Sequence, residues 1–174
     1  IQMPNNIFLI YNNKKITYTK FNDLVNSCCD FFDEEKIIEG DLISIVLRNS
    51  VDYLVIYLAC LRSGVVVNPF PFYVSANEIK SKIEIVRPKA VFSHTSHYKP
   101  LSESEYKVFD LDNMDGMPFI EYLERYIVKP NHRIKVQRNK TAALYYSSGT
   151  TGVPKIIEYP HRAMISNQGS MLRA

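Results

Sequence analysis

The segment Tyr146-Ser147-Ser148-Gly149-Thr150-Thr151-Gly152-Val153-Pro154-Lys155 gathers small, hydroxylated and flexible residues and ends on a cation. Those types in that order suit a polyphosphate. Gly149 and Gly152 let the backbone turn its N–H groups inward and approach an anion closely, forming a nest of fixed partial positive charge. The hydroxyls of Ser147, Ser148, Thr150 and Thr151 add donors, and hydrogen bonds to a charged acceptor contribute roughly 1.5–3 kcal/mol each. Lys155 brings a point charge on a long stem, able to follow a phosphate as its charge redistributes. Pro154 stiffens the base of that stem. The competing reading of any isolated Ser-Ser-Gly or Thr-Gly is a solvated surface turn. A Walker A loop is excluded, because it requires glycine before the lysine and a hydroxyl after it, and Pro154 and Ile156 stand there.

Such a loop works only if rigid elements hold its ends. Thr141 to Tyr146 and Lys155 to Tyr159 read as strands on either side of it, and a helix is expected from His161. Upstream, Ile7 to Tyr11 and Lys15 to Tyr18 form a hairpin across Asn12 and Asn13. From Thr19 as N-cap, the spacing of Phe21, Leu24, Val25, Cys28, Cys29 and Phe32 predicts an amphipathic helix, with Gly40 closing the unit. Leu42 to Leu47 is apolar on both faces, as a central parallel strand must be. A helix over Ser50 to Ser63, stopped by Gly64, leads to a short strand Val65 to Val67 before Asn68 and Pro69. Ser75 and Glu78 have capping-box spacing for a helix carrying Ile79, Ile83 and Val86, with Pro88 beyond its end. Ala90 to Ser93 is the next strand, Tyr98 to Gly116 a polar surface excursion, and Phe119 to Ile127 a further helix. The alternation implies an α/β fold: a doubly wound, mostly parallel sheet with helices on both faces and ligands at the carboxyl ends of its strands.

Composition narrows the classes. With 46% apolar and 22% charged residues the chain has the material for a packed core without staples. A net charge of +3 from 21 basic and 18 acidic residues, interspersed, lacks a nucleic-acid footprint. The apolar run from Val51 to Val67 is broken by Asp52, Arg62, Ser63 and Gly64, short of the ~20 residues of a bilayer span. Cys28, Cys29 and Cys60 form no metal or redox motif, which with the lack of a signal-like N-terminus points to the cytoplasm. The start at Ile1 and the stop at Ala174 within a helical pattern lead us to expect a portion of something longer.

The loop resembles the signature of the AMP-forming adenylating superfamily, which comprises acyl-CoA synthetases, nonribosomal-peptide adenylation domains and beetle luciferases. Seven specified positions agree (Ser148, Gly149, Thr150, Thr151, Gly152, Pro154, Lys155), and at ~5% usage each a chance match is on the order of 10⁻⁹ per start. Ile16-Thr17-Tyr18-Thr19 resembles the family's "TY-x-E", with Lys20 in place of the acid. Gly40-Asp41 through Asn49-Ser50 resembles "GD-x-V-x-x-x-x-x-N", and Leu61 to Pro69 resembles "L-x-x-G-x-x-x-x-P". His161-Arg162 matches the family's "HR". The resemblance covers nearly the whole chain and implies that residues 1–174 are the N-terminal portion of an adenylation domain's large domain, with the remainder and a small C-terminal domain outside it.

It further implies a two-step ligase. A small-molecule carboxylate attacks the ATP α-phosphate to give an acyl-adenylate and pyrophosphate, and a thiol, usually CoA, then takes the acyl group, as in fatty acid metabolism. Ser147, Ser148, Gly149, Thr150, Thr151, Gly152 and Lys155 bind the β- and γ-phosphates with Mg²⁺ sharing their charge, and none of them is a catalytic base. Ile156 departs from the family's glycine after the lysine. The alternatives are a peptide-synthetase adenylation domain, a fatty-acyl-AMP ligase, or a noncatalytic nucleotide-binding remnant.

Other residues weigh less. His161 reads as a cap or packing group before it reads as catalytic, and Arg162 as equally a surface arginine or a site residue. Phe70, Phe72 and Tyr73 could line an acyl channel, though packing beside Pro69 and Pro71 is preferred. For Cys28 and Cys29 a core role outweighs a redox role. Asp110, Asp112 and Asp115 lack the glycine and glutamate of a calcium loop and read as a solvated loop.

Overall fold

The computed structural model describes residues 4–103, 105–126, 137–147 and 155–164. The chain opens with a two-stranded antiparallel hairpin, β1 (Ile7–Tyr11) and β2 (Lys14–Thr17), turned through Asn12 and Asn13 at φ 49° and 62°. Asparagine tolerates that left-handed region, which explains the pair at the turn. Helix α1 (Tyr18–Glu34) starts two residues earlier than the sequence predicts, because Thr17, not Thr19, caps it by accepting from the Lys20 N–H at 3.2 Å. The Thr19 hydroxyl instead donates to the Pro4 carbonyl at 2.9 Å.

A six-stranded sheet follows, in the order β6-β5-β3-β4-β7-β8. Its members are β3 (Leu42–Leu47), β4 (Val66–Pro71), β5 (Ala90–Ser93), β6 (Lys107–Asp110), β7 (Thr141–Ser147) and β8 (Lys155–Pro160). Every pairing is parallel except the last, β7 with β8. Helices α2 (Val51–Ser63), α3 (Ala76–Val86), α4 (Thr95–Ser102) and α5 (Phe119–Leu123) connect the strands. This is the doubly wound α/β sheet expected, with helices on both faces. On β3 the period of two sends Ile43, Ile45 and Leu47 into a core with α1, α2 and α5, and Val46 into a second core with α3 and α4. On β5, Phe92 faces the first core and Val91 the second.

The first core is aromatic at its centre. Phe31 lies 5.2 Å from Phe109, 5.6 Å from Phe119 and 6.2 Å from Phe92, all edge-on, the arrangement that ring quadrupoles favour. Cys28, Cys29 and Cys60 are buried free thiols in this core, and burial pushes the Cys29 thiol up to about 11. Helix α1 is buried on more than one face: Asn26, Ser27 and Asp30 are enclosed along with the apolar stripe. The Arg62 guanidinium of α2 meets this polar side, donating to Asn26 and, at 3.1 Å, to Asn22.

Three expectations are corrected. The strand at Val65 to Val67 is longer, running through Asn68 and Pro69 to Pro71. Prolines argue against a central strand because they donate nothing to the ladder, but here side-chain hydrogen bonds take over, as shown below. The stretch from Tyr98 to Gly116 is not an irregular excursion. It holds the end of α4 and all of β6, and it buries Leu101, Phe109, Leu111 and Met114. Its polarity misleads because Asp110 and Asp112 are used as a non-local cap: Asp112 accepts from the Thr95 N–H at 2.9 Å and Asp110 from the Thr95 hydroxyl at 3.0 Å. The predicted helix over Phe119 to Ile127 is shorter, ending at Leu123, and residue 127 lies outside the described residues. Among the described residues no helix is long and apolar enough to cross a membrane.

Helix α2 runs between the two stop signals its sequence carries. Ser50 accepts from the Tyr53 N–H at 3.2 Å, and Gly64, at φ 68°, returns its N–H to Cys60 O. A Cβ on Gly64 meets Glu39 Cγ at 2.8 Å. Gly64→Ala should therefore lower stability by about 1–3 kcal/mol, from left-handed strain plus the contact. An unchanged urea-unfolding midpoint would contradict this.

Candidate functional site

Strand β7 is parallel to β4 through the Val67–Ala143 pair, so its last residue, Ser147, stands at the carboxyl edge of the parallel strands. From there the chain returns as β8, whose first residue is Lys155. The antiparallel register sets Tyr145 opposite Ile157, Tyr146 opposite Ile156, and Ser147 opposite Lys155. The two outermost members of the predicted phosphate loop are thus cross-strand neighbours, about 4.5–5.5 Å apart at Cα as in any antiparallel pair. Ser147 is half-buried and Lys155 exposed. Ser148, Gly149, Thr150, Thr151 and Gly152 lie outside the described residues.

The base of this hairpin is tightly specified. The Tyr146 ring lies 5.4 Å from Phe70, and the Lys82 ammonium sits 5.2 Å over it. Its hydroxyl points between the Asn68 Oδ1 and the Lys82 carbonyl, both at 3.3 Å. Burial pushes the phenol up to about 12, against the lowering effect of the Asn68 bond. Tyr145 faces the other layer, with its hydroxyl 2.8 Å from that of Tyr57 on α2 and its ring edge-on to Tyr159.

Asn68 is the residue that sequence reasoning overlooked. It is fully buried, and its amide donates to the Leu144 carbonyl at 3.0 Å while its oxygen accepts from Ser44 at 3.3 Å. The signal was present: a single amide inside Val-Val-Val-Asn-Pro-Phe-Pro must find partners when buried. Lys82 gives no comparable signal, since its sequence neighbours describe an ordinary exposed helix face.

The secondary candidates separate from the loop. Residues 161–164 are helical, and the His161 and Arg162 amides donate to the carbonyls of Lys140 and Arg138 at 3.1 and 2.9 Å. Pro160 pairs with Thr141, so this turn begins at the far end of β7 from Ser147, about 20 Å away at strand rise. Phe70 is core, Phe72 carries the Arg48 guanidinium at 5.1 Å, and Tyr73 is 78% exposed, so the three do not form one wall. Asp112 lies 3.0 Å from His94 Nδ1. Partial burial opposes its ionisation, but the Thr95 amide and His94 prevail and hold it below the usual carboxylate range. Asp115 pairs with Arg125. Among the described residues no set of three or more His, Cys, Asp or Glu side chains gathers as metal ligands. What brackets the loop is hydroxyl and ammonium, a donor set that fits phosphate oxygens.

The carboxyl edge on which Ser147 stands is where doubly wound α/β sheets take their ligands. Residues 2–173 match the model of the AMP-binding enzyme family, and the chain belongs to that family. It is 28% identical over 156 residues to the PKS-NRPS hybrid synthetase acdB of Aspergillus candidus, covering 90% of this chain and 6% of that protein. To 4-coumarate–CoA ligase-like 9 of Arabidopsis thaliana it is 32% identical over 125 residues, 71% of this chain and 22% of that one. The fold matches ATP-bound MatB from Rhodopseudomonas palustris with a TM-score of 0.85 at 23% identity, over 98% of this chain and 35% of that chain. The chain therefore spans less than a quarter of either curated relative.

Burial lowers the His161 imidazole below its ordinary 6.5. NMR titration should find its midpoint under that value; a midpoint at or above it would show that the ring is solvated.

Proposed function

We propose that the intact polypeptide activates a carboxylic acid with ATP. The carboxylate attacks the α-phosphorus, an acyl-adenylate forms, pyrophosphate departs, and a thiol then accepts the acyl group. The observation carrying this reading is the placement of Ser147 and Lys155 as cross-strand partners at the carboxyl edge, on either side of the hydroxyl- and glycine-rich turn. Residues 1–174 are read as the N-terminal portion of the adenylation domain.

In this mechanism Ser147, Ser148, Thr150 and Thr151 donate to the β- and γ-phosphate oxygens, and Gly149 and Gly152 bring backbone N–H groups close to the same oxygens. Lys155 places its ammonium where charge builds on the departing pyrophosphate. Mg²⁺ bound with the phosphates supplies further neutralisation of that charge. Catalysis then rests on alignment and charge stabilisation, and no side chain here moves a proton.

We assign CoA as the thiol, supported by the kinship to a coumarate–CoA ligase-like protein. The relationship to a PKS-NRPS hybrid synthetase favours a carrier-bound thiol as the second reading. Supplying each acceptor to the adenylate and identifying the thioester formed separates the two.

Lys155→Ala should slow carboxylate-dependent ATP–pyrophosphate exchange about 10²-fold with little change in carboxylate KM, the scale of losing one preorganised donor. Exchange at the wild-type rate would refute the assignment of Lys155. Gly149→Val should close the backbone nest and weaken ATP binding about tenfold or more by calorimetry. Unchanged affinity would count against the nest.

A further inference from the structure

Strand β4 lies between β3 and β7, yet two of its last three residues, Pro69 and Pro71, have no N–H to give either neighbour. Backbone pairing of β4 with β7 is in register at Val67 and Ala143, short of the carboxyl edge. Toward that edge the connection passes to the Asn68 side chain. Its Nδ2 donates to the Leu144 carbonyl on β7 at 3.0 Å, and its Oδ1 accepts from Ser44 on β3 and from Tyr146 on β7, each at 3.3 Å. One buried amide thus ties three adjacent strands together. It does so immediately before Ser147.

Tyr146 transmits this placement. With its ring beside Phe70, the Lys82 ammonium over that ring and its hydroxyl on Asn68, it is held from the side of α3 as well as from the sheet. Its backbone partner is Ile156, and the next rung is Ser147 with Lys155. A displacement at residue 146 therefore reaches both ends of the loop at once. Buried polar networks of this kind specify a single arrangement because any partner left unsatisfied is costly.

We propose that Asn68 is a positioning residue for the phosphate loop, acting through Leu144 and the Tyr146 hydroxyl to set where Ser147 and Lys155 stand. The inference rests on the reading of that loop as the triphosphate site. Its signature is selective. Displaced loop ends weaken the hold on ATP while leaving carboxylate recognition untouched.

The test measures ATP–pyrophosphate exchange in the intact gene product for Asn68→Leu, Tyr146→Phe and Lys155→Ala, with thermal unfolding of each. Tyr146→Phe should raise the KM for ATP about tenfold, the scale of one lost buried hydrogen bond, and Asn68→Leu, which removes three, by at least as much, with the carboxylate KM within about twofold for both. Tyr146→Phe keeps the ring packing and removes only the hydroxyl, so it carries the test alone if Asn68→Leu does not fold. An unchanged ATP KM in the folded variants, or a uniform loss of kcat that follows lowered thermal stability, overturns the positioning role when Lys155→Ala is impaired. Wild-type exchange by Lys155→Ala overturns the loop reading itself, and this inference with it.

Discussion

The register between β7 and β8 is the constraint on which the proposed phosphate site depends. A hydroxyl-rich loop has no function of its own until its two ends are fixed relative to each other, and the ladder fixes them by placing Ser147 opposite Lys155. The side-chain period of a strand is two, so a slip of one residue would send the lysine to the other face of the sheet. Packing protects that register. Tyr145 is anchored to α2 through Tyr57, and Tyr146 to α3 and β4 through Lys82, Phe70 and Asn68, so consecutive residues are locked to opposite layers.

The sheet beneath makes the arrangement possible. Parallel strands buried on both faces put their carboxyl ends on a common edge, where chain can leave the core without stranding polar groups. Strand β4 is the unusual member, since its prolines remove backbone donors from the middle of the sheet. The Asn68 amide takes up that deficit, and a polar residue in an apolar run becomes a structural necessity.

Local signals were readable from the amino-acid types alone. Leu42–Leu47 and Ala90–Ser93 are strands to the residue, and Ser50 and Gly64 bound their helix as the capping rules require. Each of these depends on a residue and its immediate neighbours. The errors arose where distant groups decided the outcome. Thr17 took the cap from Thr19 because the hairpin hands the chain over there and Pro4 claims the Thr19 hydroxyl. The polar stretch holding β6 gained structure because its carboxylates cap a helix about fifteen residues upstream. At the proposed site, the loop reading rests on side-chain types that are adjacent in sequence, whereas the Asn68 network was not legible, because its partners lie 24 and 78 residues away.

Among the described residues the two sides of the sheet are unequally provisioned. The layer of α1, α2 and α5 encloses a large cluster of rings, thiols and aliphatic side chains, whereas α3 and α4 cover only a small one built around Val46, Phe70, Ile79, Ile83, Val91 and Leu101. Cooperative opening starts where the least apolar surface must be re-exposed, so amide protons on the α3 and α4 side exchange from the cheaper fluctuation. That thinner layer is also the one that bears Lys82 against Tyr146. The loop's strands therefore rest on a larger apolar foundation on one side than on the other.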